Sequence, residues 1–552
     1  MPAAIRRYLP IPLLLVAAVA ALLHLTPFWV AQSRTPPGWQ FTGNLTGSAD
    51  EMQYRMLMER SQQIGPIVDN RLTSEPNRPH IPMYFYYGLG KLSAWLGVKP
   101  GFVYGYLGAG FAFLLALALF WIVDHFAKSR YQTWWVFLAL LFGGGLGAHL
   151  MALDQLGLLG RSTFFRRTVT EGLVLAIPFE RYRNHYIFST LFDTHFLFFL
   201  LMALLAIVAL YRTVSRFTIP RLLATGILFG MVTGLHIYDG VTLLFIAAGV
   251  AAVLWGRGLS GRQALLILVV CGMSVAIAIV WQLRLYQASG LPLPVWRAQS
   301  IYFSELALAY ALAWGLIAWG LVRYWRAAGI KERFLLGWAL GCTVLTLSGP
   351  FYPYSDRGAL TLQIPLTIDA GIIYFAWRSK VSGRHAVAAL VLLGATPLWE
   401  LERLRRNALF EGHPSGGPPP YTWMSPDHQQ VLAALRERAR EEDVLIVDKS
   451  NVLWRTDDLW LTNGFRGRLY AGHNGLTPDY PRKRDEVNAF YRNPETAAEF
   501  LRRARIRFVY VRRNQDPARF ERVPGLRPLR STGVGTLFEY TPVSLPPEAG
   551  RR

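Results

Sequence analysis

Two adjacent carboxylates, Asp50 and Glu51, lie in the polar stretch FTGNLTGSADEMQY (41–54), directly after the first long apolar run of the chain. Such a pair suits two kinds of chemistry: taking a proton from an acceptor hydroxyl, or holding a divalent cation such as Mg or Mn. Crowding of like charge raises the pKa of one member, which tunes it as a base. Tyr54 follows one helical turn after Asp50. The same pattern also marks an ordinary helix start, with Ser48 as the cap and acids in the first turn favoured by the helix dipole. The two roles are compatible, because a helix start can carry a base.

Further polar residues fall at the ends of apolar runs. His195 stands beside Asp193 and Thr194, where Asp193 also suits a helix N-cap. His236 and Asp239 occupy the turn GLHIYDG between two short apolar runs. Ionisable groups at membrane depth are functional by default, although an Asp-Gly turn requires no function. Arg357, in PYSDRGALTLQIP, carries a guanidinium suited to bidentate phosphate pairing. Its alternatives are an ion pair with Asp356 or snorkelling at the interface.

The elements that must position these residues are mostly membrane helices. Hydrophobic residues make up 52% of the 552 residues, with 18 Trp, 25 Tyr and 32 Phe. Apolar stretches of roughly 17–25 residues, each able to cross about 30 Å of hydrocarbon, recur along the first three quarters of the chain. They predict about eleven spans, near 8–30, 102–124, 133–152, 191–210, 222–237, 239–256, 264–283, 304–322, 334–351, 360–377 and 385–399. The first resembles a signal peptide, but its apolar run reaches Val30 without a small-residue cleavage pattern, so a retained helix is expected.

With the N-terminus in the cytoplasm, every second connection carries basic residues. These are Lys128 and Arg130; Arg212, Arg216 and Arg221; Arg257 and Arg262; Arg323, Arg326, Lys331 and Arg333; and Arg378, Lys380 and Arg384. That alternation obeys the positive-inside rule. It also accounts for much of the net charge of +22, which in a soluble chain would suggest nucleic acid; no nucleic-acid partner is expected here.

Three long segments then face outside: 31–101, 153–190 and the tail from about residue 400. Residues 82–98, PMYFYYGLGKLSAWLGV, form an aromatic amphipathic segment suited to the membrane interface. In 153–190, Arg161, Arg166, Arg167, Arg181, Arg183 and His185 suit either anionic headgroups or a groove for a phosphate or acidic acceptor. The expected domains are a transmembrane domain at 1–399, a linker at 400–423 containing GHPSGGPPP, and a soluble α/β domain at 424–552. Helices are predicted over 429–441 and 494–504, and strands over 444–447, 508–511 and 536–540. Arg466, Arg468, His473, Arg482, Lys483 and Arg484 flank GHNGLTPDY, as solvated surface charge or as contacts for an acceptor glycan.

The only cysteines, Cys271 and Cys342, lie in apolar runs, so no disulfide framework exists. No Walker A, Rossmann or zinc signature occurs, which argues against soluble nucleotide-driven chemistry.

The order Asp50-Glu51-x-x-Tyr54 after the first span resembles the GT-C superfamily of polytopic glycosyltransferases. So do the following Glu75-Pro76-Asn77-Arg78-Pro79 and an aromatic helix ending in Leu96-Gly97. The protein O-mannosyltransferases and lipid A aminoarabinose transferases have this shape. Phe41-Thr42-Gly43, His236-Ile237-Tyr238 and Arg357 before Ile364-Pro365 are similar to features of poorly characterised bacterial members.

The resemblance implies a mainly α polytopic fold with a small α/β domain outside the cytoplasm. It implies transfer of a sugar from a polyprenyl-phosphate donor to a lipid, glycan or protein acceptor. Asp50 would be the catalytic acid/base and Glu51 its partner, or the pair would hold a divalent cation. Tyr54, Arg78, His195, His236, Asp239 and Arg357 are the substrate-binding candidates. The expected setting is a bacterial inner membrane, among membrane lipids, with the N-terminus cytoplasmic and the tail periplasmic or extracellular. The alternatives are a transporter or flippase of lipid-linked intermediates, which predicts paired charges at the midplane, and a non-catalytic envelope scaffold.

Overall fold

The computed structural model describes residues 11–43, 49–144, 187–292, 311–324, 326, 328–348, 357–377, 422–449, 459–462, 465–473, 476–496 and 498–542, with isolated positions between 384 and 401. Helix α1 (Ile11–Ser33) leads to strand β1 (Gln40–Phe41), helix α2 (Ala49–Ile64), strands β2 (Ile67–Val68) and β3 (Ile81–Pro82) and helix α3 (Tyr84–Leu96). Apolar helices follow: α4 (Pro100–Phe126), α5 (Arg130–Phe142), α6 (Thr194–Ser215), α7 (Ile219–Leu235) and α8 (Ile237–Leu254). Then come α9 (Gly261–Ala288), α10 (Ala311–Tyr324), α11 (Ile330–Leu347) and α12 (Arg357–Trp377). The tail contributes β4 (Trp423–Met424), α13 (Pro426–Arg438), β5 (Val444–Val447), β6 (Arg468–Leu469), α14 (Tyr480–Arg492) and α15 (Ala498–Arg503). It ends with β7 (Ile506–Arg512), α16 (Ala518–Glu521), β8 (Leu526–Thr532) and β9 (Gly535–Tyr540).

Among the described residues, helices overlie ten of the eleven segments expected to span; the eleventh, 385–399, falls almost wholly outside them. Among the described residues, five helices, α1, α4, α6, α8 and α9, are both long and apolar enough to cross a membrane. The arginine-rich segment 161–185 and the residues Ser48 and Asp356 lie outside the described residues.

The chain divides into two compact units. One comprises residues 1–27, 104–281 and 297–405; the other comprises 28–103, 282–296 and 406–552.

The first unit is a helical bundle. Its core is fully buried aromatic and aliphatic surface, including Phe120, Phe137, Phe229, Phe334 and Trp338. Glycines bring α8 and α11 into backbone contact. A Cβ on Gly249 would fall 2.2 Å from the Gly337 carbonyl oxygen, and one on Gly341 2.2 Å from that of Phe245. Gly337 and Gly341 form a GxxxG pair, the spacing that lets helices approach closely where lipid supplies no hydrophobic drive. Polar side chains add specific ties. Gln363 on α12 donates to the Gly143 carbonyl (3.2 Å) and accepts from the Ile187 amide (2.7 Å). The His24 ring nitrogens lie 2.5 Å from the Leu191 carbonyl oxygen and 3.0 Å from that of Gly105.

The second unit is built on a five-stranded sheet, ordered β6-β5-β7-β9-β8, with β6, β5 and β7 parallel and the rest antiparallel. The continuous apolar run Val444–Val447 makes β5 a strand buried on both faces. Val487, Phe490 and Tyr491 of α14 pack over the sheet with Phe500, Phe520 and Phe538. The Tyr491 hydroxyl donates to the Tyr510 carbonyl at 2.8 Å. The segment from Asp69 to Thr73 runs along the outer edge of β6. Amides of Leu469 and Gly472 donate to the carbonyls of Arg71 (2.9 Å) and Leu72 (3.0 Å), and Thr73 bridges Ala471 antiparallel. Distant sequence thus covers a sheet edge that would otherwise expose unpaired backbone groups.

Candidate functional site

Asp50 and Glu51 are the second and third residues of α2, in its first turn, one turn before Tyr54 and Arg55. The helix begins at Ala49, so the helix-start reading of this stretch holds for the backbone. Tyr54 stacks face to face on Tyr86 of α3, with centroids 4.9 Å apart and planes 19° apart. The Arg55 guanidinium donates to the Thr42 carbonyl, tying the first turns of α2 to the strand before it. At the other end of α2, Gln62 donates to the Tyr87 carbonyl at 3.2 Å.

Arg60 anchors the same helix through a buried ionic cluster. Its Nε meets Asp69 Oδ1 at 2.6 Å and its Nη1 meets Glu441 Oε1 at 3.0 Å. Arg71 and Arg468 approach the other Asp69 oxygen at 3.8 and 3.5 Å. Burial works against charge on Arg60, yet its pairs with Asp69 and Glu441 together outweigh this and raise its pKa; burial prevails at Arg71 and Arg468, whose pKa values are lowered. Close by in the same unit, Lys483, 2% exposed, pairs with Glu75 at 2.5 Å and donates to Ser74 at 3.1 Å. Burial lowers the Lys483 pKa against the pull of Glu75. Glu75 is likewise desolvated, but Lys483 and the Thr73 hydroxyl together hold it below the usual carboxylate range.

Lys483 and Arg468 are therefore internal ion-pair partners rather than solvated surface charge. The sequence signal was present only as a basic run; Asp69 and Glu75, which draw it inward, lie some four hundred residues away. Within the Glu75–Pro79 segment, Asn77 closes a turn: its side chain accepts from the Asn70 amide at 2.7 Å and donates to the Asn70 carbonyl at 2.9 Å. Arg78 is exposed, and its amide donates to the Ser289 carbonyl at 3.2 Å.

In the helical unit, three of the expected site residues come together. His195 lies in the first turn of α6, and His236 forms the corner between α7 and α8. Their rings are 5.0 Å apart and nearly perpendicular. Asp239, 5% exposed, sits 2.9 Å from His236 Nδ1, and the His236 ring stacks on Phe199 at 4.5 Å. A carboxylate on Nδ1 and an aromatic face fix the imidazole's plane and leave Nε2 for a ligand. Asp193 caps α6, accepting from the amides of His195 (3.0 Å) and Phe196 (3.4 Å). Arg357 is the first residue of α12. Among the described residues, no three or more His, Cys, Asp and Glu side chains group as a metal site.

No family model and no curated protein matches the sequence. Solved structures do match in fold. AglB, the oligosaccharyltransferase of Archaeoglobus fulgidus, in complex with an inhibitory peptide and a dolichol-phosphate, aligns over 91% of this chain and 69% of its own. The identity is 12% and the TM-score 0.52. An oligosaccharyltransferase of the same organism, tethered to an acceptor peptide containing the NVT sequon, aligns over 91% and 68%, also at 12% and 0.52. The mycobacterial arabinofuranosyltransferase AftD aligns over 97% of this chain but 40% of its own, at 15% identity and a TM-score of 0.55. The chain thus shares its fold with these glycosyltransferases.

Proposed function

We propose that this chain is a GT-C type glycosyltransferase that moves a sugar from a polyprenyl-phosphate carrier to a lipid, glycan or protein acceptor outside the cytoplasm. The fold likeness supports it: more than nine tenths of the chain follows two membrane glycosyltransferases, one of them solved with a dolichol-phosphate.

In this reading Asp50 takes the proton of the acceptor hydroxyl as its oxygen attacks the anomeric carbon. The bond from that carbon to the phosphate oxygen breaks, and polyprenyl phosphate leaves with the electron pair. Glu51 is the second acid, or with Asp50 a ligand for a divalent cation, which would supply Lewis-acid stabilisation of charge. Arg357 contacts the donor phosphate by a bidentate pair. His236, oriented by Asp239 and flanked by His195, offers Nε2 to the donor head group, with Tyr54 and Arg78 completing the substrate contacts. A lipid phosphate leaving group needs no nucleotide, which suits a site outside the cytoplasm of a bacterial inner membrane.

Asp50→Asn removes the basicity at nearly constant volume. Assayed with purified protein and a panel of polyprenyl-phosphate sugars, it should lower transfer about 10²–10⁴-fold with membrane insertion unchanged. Full transfer by this variant would eliminate Asp50 as the base. Lipid flipping without transfer by the wild type would indicate a transporter, and neither activity a scaffold.

A further inference from the structure

The sheet unit holds a seat for one oxygen between two buried guanidiniums. Arg60 and Arg71 are 9% and 6% exposed. Glu441 Oε1 lies 3.0 Å from Arg60 Nη1 and 3.0 Å from Arg71 Nη2. Arg60 Nη1 also donates to Gln63 Oε1 at 3.0 Å. Asp69 takes the other edge of the group: one of its oxygens meets Arg60 Nε, and the second approaches Arg71 Nε and Arg468 Nη2. Lys483 and Glu75 neutralise each other. Among the described residues, three guanidiniums thus face two carboxylates, and one positive charge is left over.

Glu441 fills this seat poorly. Arg71 Nη2 is buried and finds no hydrogen-bond acceptor among the described residues, so its approach to Glu441 is ionic but misaligned. The Glu441 side chain is itself 65% exposed, and an ion pair so open to water holds weakly. Nor does its turn depend on that pair. Between α13 and β5 the Arg440 amide donates to Asp443 Oδ2 at 2.6 Å, and Asp443 is fixed by Arg507 at 2.8 Å. The Glu441 carboxylate can therefore leave with the turn intact, whereas buried guanidiniums require an anion beside them.

We propose that this seat is an oxyanion-binding site, which Glu441 occupies from within the chain as a displaceable stand-in for a carboxylate or phosphate group of a ligand. Guanidiniums pair with both groups through parallel N–H bonds, and a well-placed external oxyanion satisfies Arg71 Nη2 as Glu441 does not. Arg60 follows Asp50 by ten residues on α2, about 15 Å along the helix axis. A ligand whose acid group sits here and whose body follows α2 to its first turn is an acidic oligosaccharide, bearing a uronate or a phosphate. That identity rests on the glycosyl-transfer reading, while the seat itself does not.

The test compares the full-length wild type with Glu441→Ala in detergent. Inorganic phosphate, glucuronate or uncharged glucose is titrated at constant ionic strength, and the melting temperature is read. Emptying the seat should let phosphate and glucuronate bind about tenfold more tightly than in the wild type, seen as a linked rise in melting temperature, with no response to glucose. Whichever acid binds more tightly assigns the ligand's group. Glu441→Gln, which keeps a neutral oxygen in the seat, should fall between, and Arg71→Gln added to Glu441→Ala should abolish the gain. Equal affinity for both acids in wild type, Glu441→Ala and Glu441→Gln overturns the proposal and leaves Glu441 as an ordinary surface ion pair. These three proteins decide it even where the Arg71 variant fails to fold. No turnover is measured, so the glycosyl-transfer reading survives that result, and its own failure leaves the seat standing.

Discussion

Between α8 and α11, glycines let two helices approach until a single added carbon would lie 2.2 Å from a backbone oxygen. At the edge of β6, by contrast, Asp69 gathers Arg60, Arg71 and Arg468 within 3.8 Å, and Lys483 is buried against Glu75. The helical unit coheres through shape and the sheet unit through paired charge. The solvents explain the difference. A helix leaving lipid for a bundle gains little from hydrophobic burial, so close packing must supply the attraction. A segment docking from water can bring charges with it, provided that each finds a partner. The two units should accordingly fail under different substitutions.

The largest effect belongs to Asp69→Asn. It takes the carboxylate from the buried guanidiniums of Arg60 and Arg71 and from the half-buried one of Arg468, leaving the largely exposed Glu441 to pair with the first two, and removing one partner of a buried ion pair costs about 3–5 kcal/mol. Denaturant unfolding of the sheet unit, followed by protection of β5 and β7 amides against hydrogen exchange, should show it. The exposed Arg482–Asp479 pair provides the contrast, since breaking it should cost under about 1 kcal/mol. Equal losses at the two sites would mean that the Asp69 cluster is hydrated and does not hold the unit together.

Acid offers a second way to separate the units. His428 is buried beneath Trp460, with Nδ1 2.7 Å from the Ser425 hydroxyl, and burial lowers its pKa from 6.5 to about 4. The unfolded chain binds this proton before the folded one does. The associated stability is therefore complete above pH of about 6.5 and is lost as pH falls towards about 4, to a total of about 3 kcal/mol. Amides of α13 should be less protected at pH 4.5 than at pH 7 once the intrinsic exchange rate at each pH is divided out, and His428→Gln should flatten that dependence. An unchanged slope in the variant would assign the acid sensitivity to other groups.

How much of this was legible in the sequence follows the same divide. Long apolar runs announce helices, because each must satisfy its own backbone in lipid; hence helices over ten of the expected segments. Strand β5 was equally plain from Val-Leu-Ile-Val. Strand β8 was not, since Pro528 and two arginines disguise an edge strand whose exposed positions need no apolar residues. The docking of residues 69–73 on β6 left no local pattern at all, and neither did the burial of Lys483, because both depend on partners about four hundred positions away. Hydropathy placed His195, His236 and Asp239 at helix ends. Only the crossing of α6 with the α7–α8 corner shows that they share one cluster.

The smallest effect tests the glycine side of the comparison. Gly341→Ala puts a methyl against the Phe245 carbonyl, and because that neighbour is backbone rather than a flexible side chain, the helices must separate. Overpacking of this kind costs about 1–3 kcal/mol. Gly110 on α4 is its control: nothing lies within 4 Å of a Cβ there, so Gly110→Ala should be neutral or stabilise by up to about 1 kcal/mol through lower chain entropy. Thermal stability of both variants in detergent decides between them. If Gly341→Ala were as well tolerated as Gly110→Ala, the α8–α11 crossing would be loose, and close backbone approach would not be what joins the helical unit.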